Sequence, residues 1–141
     1  MLNEVKLLVF DLDGTLLNSD KNITIETKKE IQRVAKQGIK ICLASGRFEK
    51  MMYLEKNILD CVDYMISSNG AQICDFKNNI IYKNSLNKDD FINVFELIKE
   101  HGYKAMIYSS DSAYYPKGVD KMLNKIENYK NKLALNGFDV D

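Results

Sequence analysis

The sequence predicts an α/β fold: a Rossmann-like parallel sheet that gives way near Tyr82 to a smaller mixed α+β subdomain. Three observations predict it. Short, apolar, β-branched-rich runs at Val5–Phe10, Ile39–Ala44 and Asp63–Ser67 alternate with helical patterns, the order that builds parallel strands joined by crossover helices. A polar residue stands at or near the end of each run: Asp11, Ser45 and Asn69. Beyond Gly70 the style changes to paired strands around short turns.

Each element has its own reason. Val5–Phe10 reads as a strand buried on both faces of a parallel sheet. Thr24 is a candidate N-cap, with Glu26 in the first turn, where a carboxylate suits the helix dipole. Thr27, Ile31, Val34 and Ala35 form the stripe of a core-facing helix, which Gly38 ends at its C′ position. Ile39–Ala44 is a second buried strand, and Ser45-Gly46-Arg47 the turn after it. Phe48 to Asn57 reads as a second helix, with Met51, Met52 and Leu54 among its apolar positions. Asp63–Ser67 is a third strand and Asn69-Gly70 a turn. Strand, helix, strand, helix, strand is the doubly wound pattern. Ala71–Phe76 and Ile80–Lys83 read as a hairpin around Lys77-Asn78-Asn79. Asp89–Glu100 carries Phe91, Val94, Phe95 and Ile98 at helical spacing and stops at His101-Gly102. Tyr103–Ser109 and Ala113–Tyr115 read as a second strand pair, and Val119 to Leu135 as a Lys- and Asn-rich helix.

Composition bounds the function. A chain of 141 residues amounts to about one domain. Hydrophobic residues make up 45% and charged residues 28%, an ordinary globular balance. Lys+Arg and Asp+Glu both number 20, which argues against a general nucleic-acid binder or a polybasic membrane protein. No apolar run approaches the roughly 20 residues of a membrane span. Met1 to Lys6 lacks the basic start and cleavage site of a secretory signal, so a cytoplasmic location is expected. Cys42, Cys61 and Cys74 are odd in number and show no Cys-x-x-Cys spacing, so they read as buried thiols in a reducing compartment.

Asp11-Leu12-Asp13-Gly14-Thr15 carries the chemistry. Asp-Gly between apolar runs is also a hairpin signal. Here Thr15-Leu16-Leu17 is too short to mirror Val5–Phe10, and Asp11 would fall within the strand. In an open α/β sheet, ligands bind beyond the carboxyl ends of the strands, where Asp11, Ser45 and Asn69 all fall. Two carboxylates there suit phosphoryl transfer: one attacks phosphorus while the other handles the proton.

Phe10-Asp11-Leu12-Asp13-Gly14-Thr15-Leu16-Leu17, Leu43-Ala44-Ser45-Gly46-Arg47 and Ser68-Asn69-Gly70-Ala71 together resemble the haloacid dehalogenase superfamily. Within it, the chain resembles the Cof-type sugar-phosphatase branch, which inserts a mixed α/β cap after the third core strand. The resemblance covers the chain to about Tyr115. It implies that residues 1–82 form the first half of a core and residues 83–141 part of a cap. It implies Asp11 as the nucleophile of an aspartyl-phosphate, and Asp13 as general acid and then base. The Asp11 carboxylate and the Asp13 main-chain carbonyl would hold Mg²⁺, a hard cation suited to oxygen ligands. Thr15 would support the turn through its hydroxyl. Ser45 would bind a phosphate oxygen, or cap a helix with Arg47 in its first turn. Gly46 would let the backbone approach the phosphate. Arg47 and Asn69 are candidate substrate contacts; an exposed first-turn arginine and a plain Asn-Gly turn are their alternatives.

The resemblance also calls for a later lysine and a later acidic loop of the Gly-Asp-x-x-Asn-Asp type. Neither follows the cap: Lys117 and Lys121 lie within it, and no strand precedes a Gly-Asp turn before Asp139 and Asp141. The expectation is the N-terminal part of a Cof-type enzyme, with weak Mg²⁺ affinity. Val5–Phe10 would then be an exposed edge, covered by self-association or by a complementing chain. Three functions stand: a Mg²⁺-dependent phosphatase of small phosphorylated metabolites such as sugar phosphates; a truncated, non-catalytic phosphate-binding or interaction module; and a phosphate-accepting signalling domain. The last is disfavoured, because receiver domains place their acceptor on the third strand. His101 reads as a helix-end residue, Tyr103, Tyr108, Tyr114 and Tyr115 as cap-sheet packing, and Asp111-Ser112 as a turn.

Overall fold

The computed structural model describes residues 5–109, 112–117 and 120–137; the expectations placed on Met1 to Glu4, Asp111, Asp139 and Asp141 lie outside them. The chain divides into two units, Met1–Asn84 and Ser85–Asp141.

The first unit carries a five-stranded sheet in the order β1-β2-β3-β4-β5, built from Leu7–Asp11, Lys40–Ala44, Tyr64–Ser67, Gln72–Asp75 and Ile80–Lys83. β1, β2 and β3 are parallel, while β4 and β5 return as an antiparallel hairpin. The fold is therefore α/β with a mixed sheet. Helix α1 (Ile25–Ala35) starts at Thr24, whose hydroxyl accepts from the Thr27 amide, satisfying one of the free donors of the first turn. It ends with Lys36 as C-cap, so Gly38, at φ +85°, lies one residue beyond the expected C′ position.

The expected helix from Phe48 divides in two. A 3₁₀ turn, Glu49–Met52, leads into α2 (Tyr53–Leu59), which closes on Asp60 in the left-handed region. Ile31 of α1 and Met52, Leu59 and Val62 pack with Ile41, Leu43 and Met65 of the sheet into one core. Gln32 ties the helices together, donating to the Leu59 carbonyl at 3.0 Å. Cys42 and Cys74 are buried, but Cys61 is only partly so.

β1 corrects one expectation. It is not buried on both faces: Leu8 and Phe10 pack on the core, whereas Leu7 and Val9 are 46% and 51% exposed. Strand alternation turns the second pair away from α1 and α2. β1 pairs only with β2 and stands at the end of the sheet, its other edge free among the described residues.

The second unit holds α3 (Lys88–Glu100), a two-residue pair of strands, β6 (Ile107–Tyr108) and β7 (Ala113–Tyr114), and α4 (Asp120–Leu135). Asn87 caps α3 by accepting from the Asp90 amide. The expected strand from Tyr103 to Ser109 shrinks to Ile107–Tyr108 because only these residues find a partner. Tyr103, Tyr108, Tyr114 and Tyr115 are all exposed, Tyr103 stacking on the His101 ring; a two-residue ladder offers too small a face to bury four aromatic rings. No helix among the described residues is long and apolar enough to cross a membrane.

Candidate active site

The candidate site stands where β1, β2 and β3 end. Asp11 is the last residue of β1, in register with Ala44, which is in register with Ile66 of β3. The chain then coils tightly. Leu16 and Leu17 donate their amides to the carbonyls of Asp11 and Leu12 at 3.2 and 2.9 Å, and Gly14 takes φ +84°, a region that disfavours side chains. This coil buries Leu12, Leu16 and Leu17 and leaves Asp11 and Asp13 exposed. The apolar residues thus anchor the loop from which the carboxylates project.

Asp11 and Asp13 have different partners. The Thr15 hydroxyl donates to Asp11 Oδ2 at 3.3 Å. Asp13 is gripped by two cations. Arg47 donates Nε to Oδ2 at 2.9 Å and Nη2 to Oδ1 at 3.1 Å, a forked pairing that matches guanidinium to carboxylate. Lys21 reaches the same Oδ1 at 2.9 Å. The Arg47 guanidinium, aided by Lys21 and opposed by partial burial, holds the Asp13 carboxyl at about 2, against an ordinary value of 3.8. At neutral pH Asp13 is therefore a carboxylate, and the two cations that hold it make it a weak base.

The loops after β2 and β3 hold each other. Asn69 donates its amide to the Ser45 carbonyl at 3.3 Å, and Ser68 to the Arg47 carbonyl at 2.8 Å. Ser68, Asn69 and Gly70 all have positive φ, at 51°, 56° and 93°, strain that this cross-linking sustains. Gly46 sits against the Asn69 side chain: a Cβ at Gly46 would stand 2.8 Å from Asn69 Oδ1. Ser45 is not a helix N-cap. Its hydroxyl accepts from the Arg47 amide at 3.2 Å, while the following 3₁₀ turn begins after Phe48. Arg47 accordingly lies outside any first helical turn, and its guanidinium folds back toward Asp13.

Hydrogen bonds thus join Asp13 to Arg47, Asp11 to Thr15, and Ser45 to Asn69, with Gly46 packed against Asn69. Sequence reasoning passed over Lys21 and Glu55. Glu55 accepts from Arg47 Nη1 at 2.9 Å. A signal for it existed: Arg47, Met51 and Glu55 are spaced four and four, and Glu55 is a carboxylate amid the apolar residues of its helix. Lys21 left the weaker trace of a turn-rich run, Asn18-Ser19-Asp20-Lys21-Asn22.

The donor chemistry fits a hard divalent cation only in part. The Asp11 carboxylate accepts from the Thr15 hydroxyl, whereas the Asp13 side chain is engaged by Arg47 and Lys21. Among the described residues, no group of three or more His, Cys, Asp or Glu side chains is gathered for a metal.

A mixed α/β sheet with one aspartate ending its first strand and a second just beyond it defines a Rossmann-like protein with an acidic strand-end site. Comparison with known proteins gives the family: residues 8–140 match the haloacid dehalogenase-like hydrolases, and the chain belongs to that family. The phosphatase YwpJ of Bacillus subtilis is 26% identical over 122 residues, covering 85% of this chain and 42% of its own length. The 5-amino-6-(5-phospho-D-ribitylamino)uracil phosphatase YcsE of the same organism is 28% identical over 98 residues, covering 70% of this chain and 39% of its own. A haloacid dehalogenase-like hydrolase from Bacteroides thetaiotaomicron superposes with a TM-score of 0.76 at 28% identity, over 86% of this chain and 47% of that one. The chain thus spans less than half the length of these relatives.

Proposed function

We propose that this chain carries the nucleophile half of a Cof-type phosphatase site, which hydrolyses small phosphorylated metabolites such as sugar phosphates with Mg²⁺. The observation that carries the reading is the convergence of Arg47 and Lys21 on Asp13, beside Asp11 at the end of β1. Two cations and two carboxylates at one strand end match a group that is anionic and must be attacked.

In this reading, a carboxylate oxygen of Asp11 attacks phosphorus and the bond to the leaving oxygen breaks. Asp13 gives that oxygen its proton. Water then attacks the aspartyl-phosphate, Asp13 takes the water's proton, and Asp11 is released with inorganic phosphate. The Asp13 seen here is ionised and cannot donate first. The substrate would resolve this by entering as the phosphate monoanion: its phosphate draws Arg47 and Lys21 onto itself, and its own P–OH proton passes through Asp13 to the leaving oxygen. Ser45 and Asn69 would supply further polar contacts, and Gly46 the close backbone approach. The Asp11 carboxylate and Asp13 main-chain carbonyl would hold Mg²⁺, which neutralises charge on the transferring group when bound.

The sparse acidic set favours a second reading, a phosphate-binding or interaction module without turnover. Mg²⁺-dependent phosphate release from a generic phosphomonoester, compared with Asp11→Asn, separates the two. The first reading expects release that the substitution lowers on the order of 10⁴-fold or more. Phosphate binding without release selects the second.

The free edge of β1 supports a further part of the proposal: pairing with a second polypeptide strand, from another copy or a complementing chain. The free thiols Cys42 and Cys74, both buried, support a reducing, cytoplasmic setting.

A further inference from the structure

We propose that Glu55 is a positioning residue of this site, acting through Arg47; the inference rests on the reading of Asp13 and Arg47 as working parts. Glu55 lies in α2, with its side chain 5% exposed. Its Oε1 accepts from Arg47 Nη1 at 2.9 Å, and its Oε2 has no partner among the described residues. A buried carboxylate satisfied on one side only is a poor contributor to stability. Met52, Leu54 and Leu59 show that apolar side chains fill the neighbouring positions well. The carboxylate contributes direction rather than packing.

The geometry is specific. Arg47 Nη1 is held between Glu55 and the Met51 carbonyl, the latter at 3.3 Å. A guanidinium is planar and rigid, so fixing one nitrogen orients the group. The opposite edge, Nε and Nη2, then faces Asp13. Glu55 thus ties the guanidinium to a helix packed in the core and aims its free edge at the strand-end carboxylates. It touches no group that would react, and it would remain in place while that edge exchanged Asp13 for an anionic oxygen.

The test reads Arg47 itself in the full chain, by NMR of its Nε–H. In the wild type, rotation about the Nε–Cζ bond should be hindered and exchange with water slow. Glu55→Leu keeps the volume and removes the acceptor; exchange should quicken about 10-fold, the scale of one charge-assisted hydrogen bond. Glu55→Gln, which keeps a neutral acceptor, should fall between. A freely rotating Arg47 in the wild type overturns the proposal without any variant having to fold, and so does unchanged exchange in a folded Glu55→Leu. Phosphate release measured on the same samples keeps the two readings apart. A restrained Arg47 that Glu55→Leu loosens, without release, supports Glu55's role and counts against the hydrolase. Release with a freely rotating Arg47 does the reverse.

Discussion

Arg47 holds Asp13 through two nitrogens, Nε at 2.9 Å and Nη2 at 3.1 Å, across 34 residues of sequence. This pairing couples the loop after β1 to the loop after β2. It also holds Asp13 in its ionised form.

The first prediction concerns that state. Asp13 should titrate near 2 in the wild type, and its titration should return toward 3.8 in Arg47→Met. The sign follows from linkage: a carboxyl with a lowered folded-state value adds stability above its unfolded value and loses it as pH falls. The contribution should be complete above about pH 4 and disappear toward pH 2. It should be small, because the Asp13 side chain is 44% exposed and solvent screens the pair. Carboxyl-carbon chemical shifts followed through an acid titration check it.

Lys21 gives the second. It adopts φ +58°, a left-handed conformation that costs a lysine about 1 kcal/mol, while the turn around Asn18 holds it in place. Its exposed pairing with Asp13 is worth about the same or less. Lys21→Gly should therefore leave stability within about 1 kcal/mol of the wild type. Affinity for inorganic phosphate should nevertheless fall. Thermal unfolding and a phosphate titration together check both halves; unchanged affinity would remove Lys21 from the site.

The third rests on the contact between Gly46 and Asn69. Gly46→Ala would bring a methyl group to 2.8 Å from Asn69 Oδ1. The Asn69 side chain must move or the site loop is overpacked, a cost of about 1–3 kcal/mol. Gly46→Ala/Asn69→Gly should restore the loss, since glycine tolerates the φ of +56° at that position. A double-mutant cycle in denaturant measures the coupling, and additive effects would refute the contact.

The edge of β1 gives the fourth. The polypeptide of residues 1–141 on its own should self-associate with rising concentration or take up a complementing strand. Val9→Lys, which places a charge on the half-exposed face of the edge strand, should weaken that association. Sedimentation across a concentration series checks it. A monomer at every concentration, with slow amide exchange throughout β1, would rule out the edge as an interface.

Much of the fold was legible because local rules and tertiary packing agree there. Apolar runs became β1, β2 and β3 within a residue or two, and Thr24 caps the helix it was expected to cap. Asp11 ends β1, and Thr15, Ser45, Gly46, Arg47 and Asn69 follow in the strand-end loops, because loop residues after parallel strands have no other place to go. The misses have physical causes as well. The helix after Phe48 begins as a 3₁₀ turn, whose start carries no cap signature. Strand β1 exposes Leu7 and Val9, since burial depends on which elements cover a face and not on the strand's own composition.

The sequence by itself determined the α/β order, the strand-end placement of the aspartates and the family, because each depends on periodicity and short motifs. Only the tertiary structure decided what those residues do to one another. Arg47 reaches Asp13 from the neighbouring strand-end loop, Glu55 of α2 accepts from Arg47, and Asn69 closes on Gly46. These contacts join residues distant in the chain, and their strength depends on angle, burial and charge at the meeting point, which spacing along a sequence does not encode.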